Sequence, residues 1–220
     1  MTIQTLDPRP RTARTLADVL WPAADQAGAA ASLLRNAMLV LVGSIFVAAT
    51  AQVQIPFYPV PFTGQTFGVL VVGMALGWRL GGLSLALYAL EGAIGLPVFA
   101  GFKGGAAILS GPTGGYIVGF IFAAGAVGLL AEKGWSRHVL MTVAAMVIGN
   151  LVIYAFGVAW LTNWYATLGA KFIPAGATAF EAAIANGLVP FLLGDAAKIV
   201  LAALVLPGAW KVVRAMRGGM

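Results

Sequence analysis

Gly194-Asp195-Ala196-Ala197-Lys198-Ile199 places two opposite charges three residues apart inside a run, Ala182 to Trp210, that carries no other charge. Residues at i and i+3 share a helix face, so a helical reading puts both charges on one side. A buried ion costs several kcal/mol even after relaxation, so charges at membrane depth face a bundle interior or an aqueous cavity and mark a functional site. Asp195 and Lys198 are therefore the first candidates for binding a polar ligand.

Composition sets the class. Hydrophobic residues make up 60% of the 220 and charged residues 9%, against about 25% charged in soluble domains. The chain reads as an all-α integral membrane protein. It has no cysteine and a single histidine, His138, so it lacks the residues for disulfides, thiolate metal sites or a His cluster. Neither a metal nor a cofactor is expected, and nucleic acid is not an expected partner.

The uncharged runs give six candidate transmembrane helices, at Leu34 to Gln52, Gly64 to Trp78, Leu80 to Leu96, Tyr116 to Leu130, Val139 to Leu161 and Ala182 to Leu206. The second and fourth are short for a hydrocarbon core of about 30 Å and need neighbouring apolar loop residues to complete the crossing. Basic residues test the count independently. Arg9, Arg11, Arg14, Arg35, Arg79, Lys133, Arg137, Lys211, Arg214 and Arg217 fall on one side, while only Lys103 and Lys171 fall on the other. The positive-inside rule then puts both termini in the cytoplasm of a multi-pass protein of the bacterial inner (plasma) membrane. Domain organisation follows: a cytoplasmic tail over 1–33, a membrane domain over 34–210 and a basic cytoplasmic end over 211–220. The first 30 residues lack the apolar core of a secretory signal. Within the tail, Leu16, Val19, Leu20 and Trp21 recur at helical spacing behind Thr15, a candidate N-cap, and suggest a short interfacial helix. A disordered basic tail is the competing reading.

The loops expected outside the membrane are not ordinary polar connections. The first, Gln54 to Gln65, is rich in proline and aromatics; the second, Leu96 to Tyr116, is rich in glycine and apolar. Irregular apolar backbone is tolerated near a membrane where it packs in protein or lines a cavity, so both loops are expected to cap a ligand pocket as lids. Gly114, Gly115 and Tyr116 open span four behind Thr113, where backbone N–H groups can approach an anion; a plain turn capped by Thr113 fits equally well. Lys103 can add a positive charge there or remain a solvated lysine. Thr63 and Gln65 can hydrogen-bond a polar ring or simply cap span two. Within the membrane, Asn150 contacts ligand or ties span five to a neighbour. Glu91 is expected to pair with Lys103 or Lys198. Ser44 and Ala48 form a small-xxx-small face for close approach of another helix, in the bundle or in a partner.

Absences narrow the mechanism. No Gly-x-x-x-x-Gly-Lys-Ser/Thr occurs, so a P-loop is lacking and energy for active transport must come from another subunit. The halves show no internal repeat, which weakens a secondary-transporter reading. No nucleophile is paired with a base, so an enzyme is not expected.

Several strings together resemble a known family. Pro59-Val60-Pro61-Phe62-Thr63-Gly64-Gln65-Thr66-Phe67, Gly95-Leu96-Pro97-Val98-Phe99-Ala100-Gly101, the turn Gly111 to Tyr116 leading to Gly119-Phe120, Tyr154-x-x-Gly157-x-x-Trp160-Leu161 and Gly194-Asp195-x-x-Lys198 are similar, in order, to BioY, the biotin-specific S component of energy-coupling-factor (ECF) transporters. The resemblance runs from Leu34 to Leu206. It implies a six-helix bundle that binds biotin near the external face for vitamin uptake. It also implies as partners a transmembrane coupling (T) subunit and ABC ATPases, which use the ATP, and it leaves room for a homo-oligomer in the bilayer. Asp195 would accept from the ureido N–H groups, Lys198 would donate to the ureido carbonyl, and loop groups would hold the carboxylate. Lys103 stands where members carry a neutral polar residue, and Ile117 where some carry arginine. Ser44 and Ala48 approximate the alanine-rich face on which the coupling subunit docks. Two other transport readings remain, a solitary biotin transporter acting without ATPases and an S component for another small vitamin.

Overall fold

The computed structural model describes residues 15–22 and 28–218; Arg9, Arg11 and Arg14 lie outside them, as does the Arg217 side chain. Among the described residues the helices are α1 (Leu16–Leu20), α2 (Ala29–Gln52), α3 (Gln65–Ala93), α4 (Ala106–Ser110), α5 (Gly114–Glu132), α6 (Val139–Thr167), α7 (Ala179–Gly187) and α8 (Leu192–Gly218). One two-residue hairpin, β1 (Gln54–Ile55) and β2 (Phe62–Thr63), joins α2 to α3, with Gln54 opposite Thr63 and Ile55 opposite Phe62. Five stretches are long and apolar enough to cross a membrane: α2, α3, α5, α6 and the α7–α8 run.

Five rather than six such helices arise because the expected second and third spans lie in α3. The helix breaks at Gly77, whose φ of 82° belongs to the left-handed region that glycine adopts without penalty. Beyond it the chain doubles back. A Cβ on Gly81 would lie 2.9 Å from the Cα of Gly73, and Gln65 Nε2 donates to Tyr88 Oη at 2.6 Å. In a straight helix, 23 residues would separate the latter pair by roughly 35 Å. The arms 65–76 and 78–93 are thus antiparallel, and Glu132 at the end of α5 accepts from the Trp78 N–H at 3.2 Å where the second arm begins. The first arm rises only about 18 Å.

The last expected span is also divided. Pro190 sits in a 3-10 turn, Val189–Phe191, between α7 and α8, and proline supplies no backbone donor to continue a helix. At the start of α7, Thr178 and Glu181 form a reciprocal capping box.

Helix α5 packs between α3 and α6; α2 leans on α3, and α8 on α6 and α3. The centre holds Leu70, Met74, Leu85, Val127, Met146 and Ile153, all buried. Between helices in lipid, close packing replaces the hydrophobic effect as the main attraction. The outer face of α2, with Leu34, Met38, Val42 and Ile45, stays exposed, as a lipid-facing surface would.

Helix α1 is capped by a box between Thr15 and Asp18 and buries Leu16, Ala17 and Val19 against α3 and α8. Arg35 of α2 fastens it, donating to the carbonyls of Trp21 at 2.6 Å and Ala17 at 3.2 Å and pairing with Asp18 at 3.5 Å.

Candidate functional site

A cavity of about 550 Å³ opens at the end of the bundle where α2 finishes and α5 and α8 begin. Its walls come from both expected lids, Gln54 to Thr63 and Phe99 to Thr113, from the N-terminal parts of α3 and α5, and from Gly187, Phe191 and Lys198. The lining is chiefly apolar and aromatic, with a few polar groups, the character of a small-molecule site.

The polar groups concentrate where α3, α6 and α8 meet. Asp195 lies in the first turn of α8, where the helix dipole favours a carboxylate. It is 4% exposed. Its Oδ1 accepts from Lys198 Nζ and from Thr66 Oγ1, each at 3.0 Å, and its Oδ2 accepts from the Tyr154 hydroxyl. Lys198 also donates to Thr66 Oγ1 at 2.8 Å. An ammonium has three donors, so two are held inside the cluster and one is left for the cavity, which Lys198 lines. A buried ion pair persists only when its remaining lone pairs and protons are satisfied. Thr66 and Tyr154 supply that satisfaction.

Other expected site residues separate into groups. Thr63, Gln65, Lys103, Thr113 and Tyr116 line the cavity. Thr63 Oγ1 donates to Gln65 Oε1 at 3.1 Å and accepts from the Gln65 N–H at 3.2 Å, while Gly64 is the N-cap of α3 and the helix has no side-chain cap hydrogen bond. Thr113 makes no side-chain cap hydrogen bond, and Lys103 has no ion-pair partner among the described residues. Tyr116 lies across Gly157 and Gly187 and donates to the Gly187 carbonyl at 2.8 Å.

The rest are not on the wall. Gly114 and Gly115 press on Leu109 and on Phe156 and Trp160; their lack of a side chain serves helix packing. Asn150 is buried with its Oδ1 unpartnered and does not line the cavity. Glu91 pairs with neither lysine: it accepts from Ser44 Oγ of α2, which corrects the expected partners. Ser44 is correspondingly buried within the bundle, beside Gly43, which abuts Ser84. With Ala48 packed against the same core, this small-residue face joins α2 to α3 within the bundle.

Sequence reasoning overlooked Thr66 and Tyr154 as site residues, along with the Phe191 wall. A signal existed for Tyr154, one helical turn from Asn150, but Thr66 looked like one more residue of an apolar run.

Comparison with known proteins agrees with this architecture. The BioY family profile matches residues 22–215. The biotin transporter BioY of Thermotoga maritima is 46% identical over 155 residues, 70% of this chain and 83% of that protein. A probable biotin transporter BioY of Pyrococcus horikoshii is 39% identical over 165 residues, 74% of this chain and 90% of the other. In three dimensions the chain resembles the crystal structure of an S-component for biotin from an ECF-type ABC transporter, with a TM-score of 0.67 at 24% identity, covering 84% of this chain and 95% of that one. The span of the profile and the identity to these relatives, over most of their own length, show that the chain belongs to the BioY family.

Proposed function

We propose that this chain is a biotin-binding membrane subunit that mediates biotin uptake. The observation that carries the reading is the hydrogen-bonded Asp195, Lys198, Thr66 and Tyr154 cluster, of which Thr66 and Lys198 line a chiefly apolar cavity. Biotin presents a ureido group with two N–H donors and a carbonyl, an apolar fused ring and a carboxylate. The free Lys198 proton suits the carbonyl. An ionised carboxylate offers about four lone-pair sites and Asp195 has three filled, so one remains for a ureido N–H that reaches it past Thr66 and Lys198, the cluster members that line the cavity. Phe57, Phe99, Phe120 and Phe191 wall the ring. Lys103 and the N-terminus of α5 at Thr113 suit the carboxylate.

The bundle crosses the membrane six times, counting the two arms of α3 separately, with both termini in the cytoplasm of the inner membrane. Arg35, Arg79, Lys133, Arg137, Lys211 and Arg214 lie toward the end opposite the cavity, which supports the cavity facing outward. Because the chain has no cysteine, single cysteines at Arg79 and Lys171 test this: an impermeant maleimide should label position 171 and not 79 on intact cells. The reverse pattern would overturn the orientation. Energy comes from a transmembrane coupling subunit and ABC ATPases, with biotin as ligand and no cofactor on this chain. Purified protein titrated with labelled biotin should bind it stoichiometrically, displaced by desthiobiotin and not by thiamine, riboflavin or lipoate. Folded protein that binds no biotin would overturn the assignment.

A further inference from the structure

At the end of α2, one side chain that does not line the cavity hydrogen-bonds the lid. The two N–H groups of Gln52 Nε2 are shared among three carbonyls, those of Val98 at 3.3 Å and Phe99 at 3.2 Å in the lid and of Ala48 in its own helix at 3.1 Å. Its Oε1 accepts from the Phe102 N–H at 3.0 Å. The four partners fix the amide orientation, since only one choice of oxygen and nitrogen matches them.

The gripped segment is conformationally costly. Gly101 and Phe102 have φ of 72° and 55°, and a bulky residue in the left-handed region persists only where its surroundings hold it. Phe102 cannot be held by its own ring, which is 71% exposed. The bridge between Phe99 and Lys103, at 3.0 and 3.3 Å, closes the turn, and the Phe99 ring packs over Gly92. On the other side of the turn, Phe99, Ala100, Gly101 and Lys103 face the cavity.

We propose that Gln52 is a positioning residue for the ligand site: it holds the turn 98–103 from behind and so places Lys103 and the Phe99 wall, slowing ligand release. The inference rests on the biotin reading for its ligand, though not for its geometry. Two variants separate the groups involved. Gln52→Leu removes all four hydrogen bonds at similar size. Gln52→Glu keeps an acceptor for Phe102 but loses the donors and sets a carboxylate against three carbonyls, so it should do no better.

The test combines hydrogen exchange over 96–104 in purified protein with biotin association and dissociation rates and the thermal midpoint in detergent. Each net hydrogen bond contributes on the order of 1 kcal/mol, a factor of about five to ten. Both variants should exchange the turn faster and release biotin roughly tenfold faster, with association within about twofold of the unsubstituted protein. Unchanged exchange in the folded variants overturns the positioning role. Faster exchange with unchanged release overturns the link to the ligand, as does a lowered midpoint with unchanged release. If one variant fails to fold, the other carries the same comparison. Unsubstituted protein that binds no biotin overturns the functional reading instead, and exchange still decides whether Gln52 holds the turn.

Discussion

Asp195→Asn is expected to weaken biotin binding by about 100-fold or more while leaving a folded bundle. The carboxylate is the common acceptor for Lys198, Thr66 and Tyr154, and the Lys198 side chain is only 22% exposed. Asparagine keeps the volume but turns one acceptor into a donor. It then points an N–H at groups that are themselves donating and leaves the ammonium without a counter-charge. Breaking one partner of a buried pair costs about 3–5 kcal/mol, which corresponds to roughly 10²–10⁴ in an equilibrium constant if expressed in binding. Some of that cost falls on stability, so affinity and thermal midpoint must be read together. Adding Lys198→Met to the first change removes the stranded charge. The double variant should regain the midpoint and still fail to bind, because the ligand-directed donor has gone. Lys171→Ala is the control: Lys171 sits over the Phe172 ring at 5.1 Å, away from the cavity lining, and its loss should leave the affinity unchanged. Equal effects of Asp195→Asn and Lys171→Ala would remove the pocket from α8.

The parts of this site written within one helix were legible, and the parts written between helices were not. Asp195 and Lys198 are three residues apart, so their shared face follows from helix geometry alone. Thr66 is 129 residues from Asp195 in sequence and Tyr154 is 41; nothing local links them. The same limit explains Glu91, whose partner Ser44 lies 47 residues away, and it explains Gln52. The small face of Ser44 and Ala48 was legible as a place of close approach, but helix packing inside a bundle and docking of a partner ask for the same residues. The lids could be read because apolar loops need burial. The hairpin in α3 was legible only as a change of direction: Arg79 marked the side of the membrane, but a single left-handed glycine, with helix resuming at Trp78, replaces the expected loop.

Gly157→Ala is expected to destabilise the protein and weaken biotin binding about tenfold, against the sign of helix propensity. In an unconstrained helix interior the same change stabilises by about 0.5–1 kcal/mol, because alanine loses less backbone entropy. At position 157 a Cβ would overlap the Tyr116 ring. The ring cannot retreat freely. Its hydroxyl donates to the Gly187 carbonyl, it rests against Gly187 as well, and its other face belongs to the cavity wall. Overpacking of this kind costs about 1–3 kcal/mol, which outweighs the propensity gain, and any relief that moves Tyr116 moves the wall with it. Gly125 of α5 is the matched control, since a Cβ there meets nothing within 4 Å; Gly125→Ala should leave binding unchanged and hold or raise the midpoint. The cause can be isolated by pairing Gly157→Ala with Tyr116→Leu, which removes the ring that collides. Measured against Tyr116→Leu alone, the double variant should show no further loss of stability while the affinity stays low, since the aromatic wall and the Gly187 hydrogen bond are lost together. Gly157→Ala alone with a raised midpoint and unchanged affinity would mean that Tyr116 is free to shift and that the glycine notch does not shape the pocket.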